Sequence, residues 1–384
     1  MASIELTASG QIKSEHGEDG MAEERPMFHL TPYCGRASGP NDFFINKDEY
    51  HLFYQYNPYD LCCDLTHVGH AVSSTLFDWR HLPAETGADI DYVKHEEPVI
   101  DISARYGSMH ECSDFFELSG TWVLLLSSKG MKSCVPEDHS CSGCAAVFGD
   151  YDRESGIFTP HLDQPIDYGT GLCFPRTLLT PDGRRILIAC MQNRDISSDH
   201  GRTGQWAGQM TIPRELSVTD GRLCQNPARE LEQYYTNILT YKNVPVSDEV
   251  FLYGMEGSCM DIEINVRPVP DEPLYRKFAV CLTADEEKYS SIYFSPEDGM
   301  VKIGRKHSGS PERITHHCGC LVEESMDGNI KFRIILDRFR SEVFINDGRY
   351  VVSTVIPTRL SAEKIVFRTE GKSAIDVTKR DIHI

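Results

Sequence analysis

Two arrangements in this 384-residue sequence have the residue types and spacing for chemistry: cysteines set beside histidines, and a carboxylate placed just ahead of an apolar run. Cys141-Ser-Gly-Cys144, and Cys318-Gly-Cys320 beside His316 and His317, have metal-ligand residues, but neither has the paired spacing that closes a tetrahedral zinc site. No metal or other cofactor is therefore expected, and the 14 cysteines are expected to be mostly reduced, partly buried thiols. Glu111, followed by Cys112, stands directly before the strand-like run "FFELSGTWVLLL". A carboxylate there is either an ordinary solvated group at a strand start or one that the strand aims into a site. Asp114, beside it, reads as structural. Gln55 and Asn57 close the run "YHLFYQYNPY" and can either hydrogen-bond a ligand or seal a turn.

The elements that must position these groups are short. "YHLFYQY", "TWVLLLSS", "RRILIACM", "KFRIILDRF" and "SEVFIND" are alternating, β-branched or aromatic runs separated by Asp-Gly, Pro-Asp-Gly and Asn-Asp-Gly punctuation. That pattern predicts an all-β protein. The best helical candidate, "NPARELEQYYTNI", lies where composition shifts and reads as a linker with the boundary near Gln233. The expected organisation is a polar tail over 1–26, one β domain over 27–233 and a β-sandwich over 234–384. In "SEVFINDG", Val343 and Ile345 are expected to face inward, with Glu342, Phe344 and Asn346 outward and Asn346-Asp347-Gly348 as the turn.

A formal charge of −20 repels phosphate backbones and anionic bilayers, which sets aside nucleic-acid and membrane partners and favours a neutral ligand. No window approaches 18 uninterrupted apolar residues, and the N-terminus lacks the basic-then-apolar order of a secretory signal, so a cytoplasmic protein is expected.

Several longer blocks, in order, resemble glycoside hydrolase family 32, the β-fructosidases that include invertase and sucrose-6-phosphate hydrolase. They are "YHLFYQYNPY" followed by "HVGHAVS" and "DWRHLP", then "HECSDFFELSGTWVLL", "PDGRRILIACMQN", "WAGQMTIPRELS" and "LDRFRSEVFINDGR". The resemblance implies a five-bladed β-propeller followed by a β-sandwich, with sucrose or a fructo-oligosaccharide in the axial funnel. It also implies retaining chemistry, in which one carboxylate attacks the anomeric carbon and a second, roughly 5–5.5 Å away, protonates the leaving oxygen. Glu111 matches the acid/base position of the family's Glu-Cys motif, with Cys112, Asn41, Gln55 and Asn57 as substrate contacts.

The other acidic positions of the family pattern do not match. Aligned back from His51, Pro40 and Asn41 fall on the nucleophile motif, which puts Gly39 in the attacking aspartate's place, with Arg36 and Ala37 for Trp-Met. Asp42 is three residues on, roughly 10 Å along an extended chain and on the opposite face. The Arg-Asp-Pro motif is absent, and the run from His81 to Phe116 is shorter than the family's by about two blades of 40–45 residues. Cys63, Val68 and His110 stand where the family has tryptophans, and Gly171, Cys173 and Arg176 replace its Asp, Tyr and Gln. The expectation is an incomplete propeller whose hydrolysis is absent or severely impaired, with a homodimer through the sandwich possible. Three alternatives stand beside it: a non-catalytic carbohydrate-binding or scaffold protein, an active enzyme that recruits Asp42, and a shortened variant of a working enzyme.

Overall fold

The computed structural model describes residues 25–61, 67–85, 110–129, 142–169, 171–191, 206–284, 289–305, 317–356 and 363–384. At 84, 85, 110–113, 128, 129, 142, 283, 284 and 317 it describes the backbone alone. Most of the expected tail, Cys63, Cys141 and His316 lie outside the described residues.

Three antiparallel sheets come first. The first is a meander of β1 (Gly35–Asn46), β2 (Glu49–Asn57), β3 (His67–Ser73) and β4 (Arg80–Glu85). Its first hairpin turns through Lys47 and Asp48, both at positive φ (49° and 65°), as a two-residue turn matching the strand twist requires. The second sheet holds β5 (His110–Leu118), β6 (Thr121–Lys129), β7 (Ser142–Asp152) and β8 (Ile157–Pro165). Next come β9 (Leu172–Leu179), β10 (Arg185–Met191), β11 (Trp206–Ala207), β12 (Arg214–Thr219) and β13 (Arg222–Pro227). Four of these form the third sheet in the order β13-β12-β10-β9, while β11 lies parallel to β1 with Trp206 opposite Gly35.

The third sheet sits between the other two, which explains the almost continuous apolar run of β10. Successive strand side chains point to opposite faces. Ile186 and Ile188 join a core with Leu52, Tyr54 and Ala71 of the first sheet. Leu187 and Ala189 join another with Val123, Leu125 and Ala146 of the second. Among the described residues no such core joins the first sheet to the second. The first sheet's outer face instead leaves Phe44, His51, Phe53 and His70 partly exposed, with the Phe53 and His70 rings stacked 4.0 Å apart. Strand β9 adjoins both β1 and β5, as in a radial array of blades.

The expected helix is a six-residue 3-10 helix, Arg229–Tyr234, from which the chain passes directly into a strand. The remaining strands are β14 (Tyr235–Glu256), β15 (Cys259–Pro268), β16 (Lys277–Ala284), β17 (Ser290–Ser295), β18 (Met300–Gly304), β19 (His317–Leu321), β20 (Ile330–Asp337), β21 (Arg340–Ile345), β22 (Tyr350–Val355) and β23 (Lys364–Ile382). β23 belongs to both layers of a sandwich. Residues 364–370 of β23 pair with β16, and residues 373–381 pair with β15. Gly371, at φ 112°, lies between the two halves in a conformation that side chains avoid. Phe278, Val280 and Phe294 from one layer meet Ile262, Phe332 and Val343 from the other in the sandwich core, which also buries Cys318 and Cys320.

One sequence expectation is corrected here. Glu342 and Phe344, read as outward-facing, are 0% and 1% exposed. The side of β21 away from the sandwich core is covered by the propeller domain, and Phe344 joins Leu52 and Ile186 in one cluster. Asn346 is half-buried, and its turn is as expected, with Asn346, Asp347 and Gly348 at φ 48°, 59° and 81°.

Buried charges hold this contact. His29 Nδ1 is 2.8 Å from Asp337 Oδ2 and Nε2 is 3.0 Å from Glu342 Oε1, with all three side chains out of solvent. Arg214 of β12 donates to Glu342 Oε2 (2.8 Å from Nε) and Asp167 Oδ2 (3.1 Å), and also to Gln225 and Ser353. Only an imidazolium donates from both ring nitrogens at once. Burial by itself disfavours that charge, but the hydrogen bonds and charges of Asp337 and Glu342 outweigh it and raise His29 from 6.5 to about 8. A raised histidine stabilises the fold fully below its unfolded pKa, and that contribution is lost as pH rises through the folded one. Stability from denaturant midpoints is therefore expected to fall by roughly 2 kcal/mol between pH 6.5 and about 8. In His29→Gln this pH dependence should vanish, and an unchanged slope in the variant would refute the assignment.

Candidate functional site

The sequence-predicted positions lie on two sheets, those of β1 and β2 in the first and those of β5 in the second, and β9 adjoins both β1 and β5. On β1, register shifts between Ala37 and Pro40 and between Pro40 and Asp42 interrupt pairing with β2 and set Gly39 into the interior. A Cβ at Gly39 would stand 2.5 Å from Cβ, Cγ and Cδ2 of Phe174 on β9. The volume where a side chain at 39 would begin is filled by that residue. Phe174 holds φ +53°, an uncommon value for a bulky residue, so surrounding packing must maintain it. Asp42 is exposed, and its carboxylate accepts the Phe43 N–H at 2.8 Å. It is the one carboxylate on β1, and β9 carries none.

Glu111 and Cys112 lie on β5 opposite Ser127 and Leu126, and their side chains are outside the described set. Asp114 is an anchor between strands: its Oδ2 accepts from the Thr177 N–H at 2.8 Å and the Thr177 hydroxyl at 2.5 Å, tying β5 to β9. Asn41 and Gln55 are half-buried. Asn57 is buried with its Oδ1 accepting the N–H groups of Tyr59 (3.0 Å) and Asp60 (3.2 Å), so this oxygen seals the turn after β2.

Around these strands lies a polar frame. Tyr54 donates its hydroxyl to His81 Nδ1 at 3.0 Å, and His81 Nε2 donates to the Thr31 carbonyl at 3.0 Å. Burial, opposed by the Thr31 carbonyl and aided by the Arg25 charge, pushes His81 down to about 4 and keeps it neutral. The Arg25 guanidinium lies 5.0 Å from the Trp206 ring, which Arg340 also approaches at 5.3 Å while donating to Gln209. These aromatic and cationic groups support one another and supply no attacking group. Sequence reading missed Phe174, whose only signal was its place in "GLCFPRT" between substituted positions. It also missed the Arg214–Glu342–His29 network, which no spacing rule finds because its members are far apart in the chain.

The profile of the Glycosyl hydrolases family 32 N-terminal domain matches residues 29–96 and 86–227, and that of the Glycosyl hydrolases family 32 C terminal matches residues 228–383. The N-terminal match is in two pieces that overlap at 86–96, inside the run His81–Phe116. A sucrose-6-phosphate hydrolase of Zymomonas mobilis is 23% identical, covering 94% of this chain and 92% of the relative. That alignment spans 479 positions, although this chain has 384 residues, so the relative carries chain with no counterpart here. The sucrose-6-phosphate hydrolase of Vibrio alginolyticus is 39% identical over 272 residues, covering 69% of this chain and 52% of the relative. Among solved structures, sucrose-6-phosphate hydrolase from Lactobacillus gasseri superposes with a TM-score of 0.76 at 17% identity, covering 95% of this chain and 94% of that one. With the two domain profiles together matching residues 29–227 and 228–383, the chain belongs to glycosyl hydrolases family 32.

Proposed function

We propose that this protein is a β-fructosidase scaffold in which hydrolysis of sucrose or fructan is absent or severely reduced. The observation that carries the reading is Gly39 in the nucleophile's place with Phe174 filling the space beside it. In this reading Glu111 is a surviving acid/base group without a partner, and Asn41, Gln55, Asn57 and Cys112 are the remaining candidate sugar contacts. A lone general acid contributes roughly 10²–10⁴-fold, whereas loss of a covalent nucleophile removes several orders of magnitude that the acid does not replace. The second reading is a carbohydrate-binding or scaffold protein without turnover, which requires only that the sandwich be intact, and its core draws on both layers. The ligand in either case is a small carbohydrate, in a cytoplasmic protein that can dimerise through the sandwich.

Two measurements test the catalytic reading. Incubated with sucrose or an aryl β-fructoside, the protein is expected to release fructose at the rate of a no-enzyme control, with Glu111→Gln no different. Turnover that Glu111→Gln abolishes would sink the proposal. Small anions restore turnover to glycine-for-carboxylate sites only where a hole remains; here the Phe174 side chain stands 2.5 Å from the built Cβ, so azide and formate are expected to rescue nothing. For the same reason Gly39→Asp should cost about 1–3 kcal/mol by overpacking, and Gly39→Asp with Phe174→Ala should recover part of it. An unchanged melting temperature in the single variant would show that the space is open.

A further inference from the structure

A groove of about 410 Å³ crosses the sandwich surface away from the funnel, over strands β14, β23, β16 and β17. Strand alternation explains it. Phe278, Val280 and Leu282 of β16 point into the sandwich core, so Lys277, Ala279 and Cys281 point the other way. Two of those three are small, and Ser291 of β17 lies opposite Cys281, so the floor is low. The walls are long. Arg368 donates to Glu249 Oε2 at 2.6 Å and lies 4.8 Å from the Tyr289 ring centroid, while Lys277 Nζ is held 4.1 Å from the Tyr293 ring centroid.

Charge decides the class of ligand. Lys277 and Arg368 stand against Asp248, Glu249 and Glu370, so the lining holds many donors and acceptors with a net of one negative charge, which disfavours an anion and is too little to select a cation. Cys281 is 1% exposed and burial pushes its thiol up to about 11, so it forms floor and is no nucleophile. Side chains already fixed by ion pairs and ring contacts lose little freedom when they bind hydroxyl groups. We propose that this groove binds a neutral oligosaccharide, its hydroxyl groups meeting the fixed charged side chains and a sugar face lying over Ala279 beside Tyr289. The inference deepens the non-catalytic carbohydrate-binding reading by placing a site outside the funnel, and it holds whether or not the funnel turns sugar over.

The test uses the full chain carrying Glu111→Gln, so that no probe is consumed, titrated calorimetrically with 1-kestose and separately with maltotriose. Binding of either sugar is expected, the pair distinguishing a fructosyl from a glucosyl preference. Ala279→Trp, which fills the floor from the outward face, should weaken binding by about tenfold or more with the melting temperature held. Arg368→Ala, which removes a wall without adding bulk, should do the same and keeps the test decisive if the tryptophan variant fails to fold. Flat heats with both sugars at tens of millimolar, or binding that both variants leave unchanged, would overturn the proposal. Fructose release by the unmodified chain would instead refute the catalytic reading and leave the groove standing.

Discussion

The Glu342 carboxylate of the sandwich receives hydrogen bonds from two separate stretches of the first domain. Its Oε1 accepts the Ile212 N–H at 2.7 Å and faces His29, and its Oε2 accepts from Arg214. A carboxylate taken out of water without such partners would cost several kcal/mol, and removing a single partner from a buried pair typically costs 3–5 kcal/mol. Docking of the two domains is therefore directional: apolar cover alone could slide, while this carboxylate tolerates one register of β12 against β21. The same reasoning holds for Asp337, which accepts the backbone N–H groups of Met27, Phe28 and His29 and so fixes where the chain enters the first domain.

That fixed contact bears on how the three described sheets are held. In a closed ring each sheet is held by two neighbours. Here the third sheet has both, and it is also clamped to the sandwich through Arg214 and through Gln225, whose N–H donates to the Gly348 carbonyl at 2.9 Å. A side chain at 348 would put its first carbon 1.7 Å from the Gln225 carbonyl oxygen, so this approach needs glycine as well as its positive φ. Among the described residues the first sheet has one sheet neighbour, and Tyr234 of the linker turn is tied to it by a 2.8 Å contact with Thr75. The linker turn and the sandwich thus both support the described sheets.

Much of this was legible in the sequence, for physical reasons. Period-two runs and Asn-Asp-Gly turns are local signals, so the all-β class, most strands and the β21–β22 turn follow from composition over a few residues. What failed depended on distant packing. "RELEQYYTNI" has a helical pattern, yet pairing of β14 along the whole of β23 outweighs that weak propensity and leaves a six-residue 3-10 helix. Glu342 and Phe344 read as outward because alternation tells two faces apart but not whether both are covered. Asp114 read correctly as structural, since it bonds Thr177 one strand away. The place of Gly39 came from motif alignment, but what fills the adjoining space came only from coordinates.

Phe174 changes what the absent aspartate means. A single lost carboxylate in an otherwise preserved funnel would leave a hole that water, an anion or a back-mutation could refill. With an aromatic residue held in left-handed backbone against Gly39, recovering a nucleophile requires at least two coordinated changes. First β9 must withdraw its ring, and then β1 must accept a side chain at a bulged, buried position. Asp114 resists the first step, because its hydrogen bonds to Thr177 pin β9 three residues beyond Phe174. A glycine at 39 and the filling of the space beside it by Phe174 therefore reinforce each other.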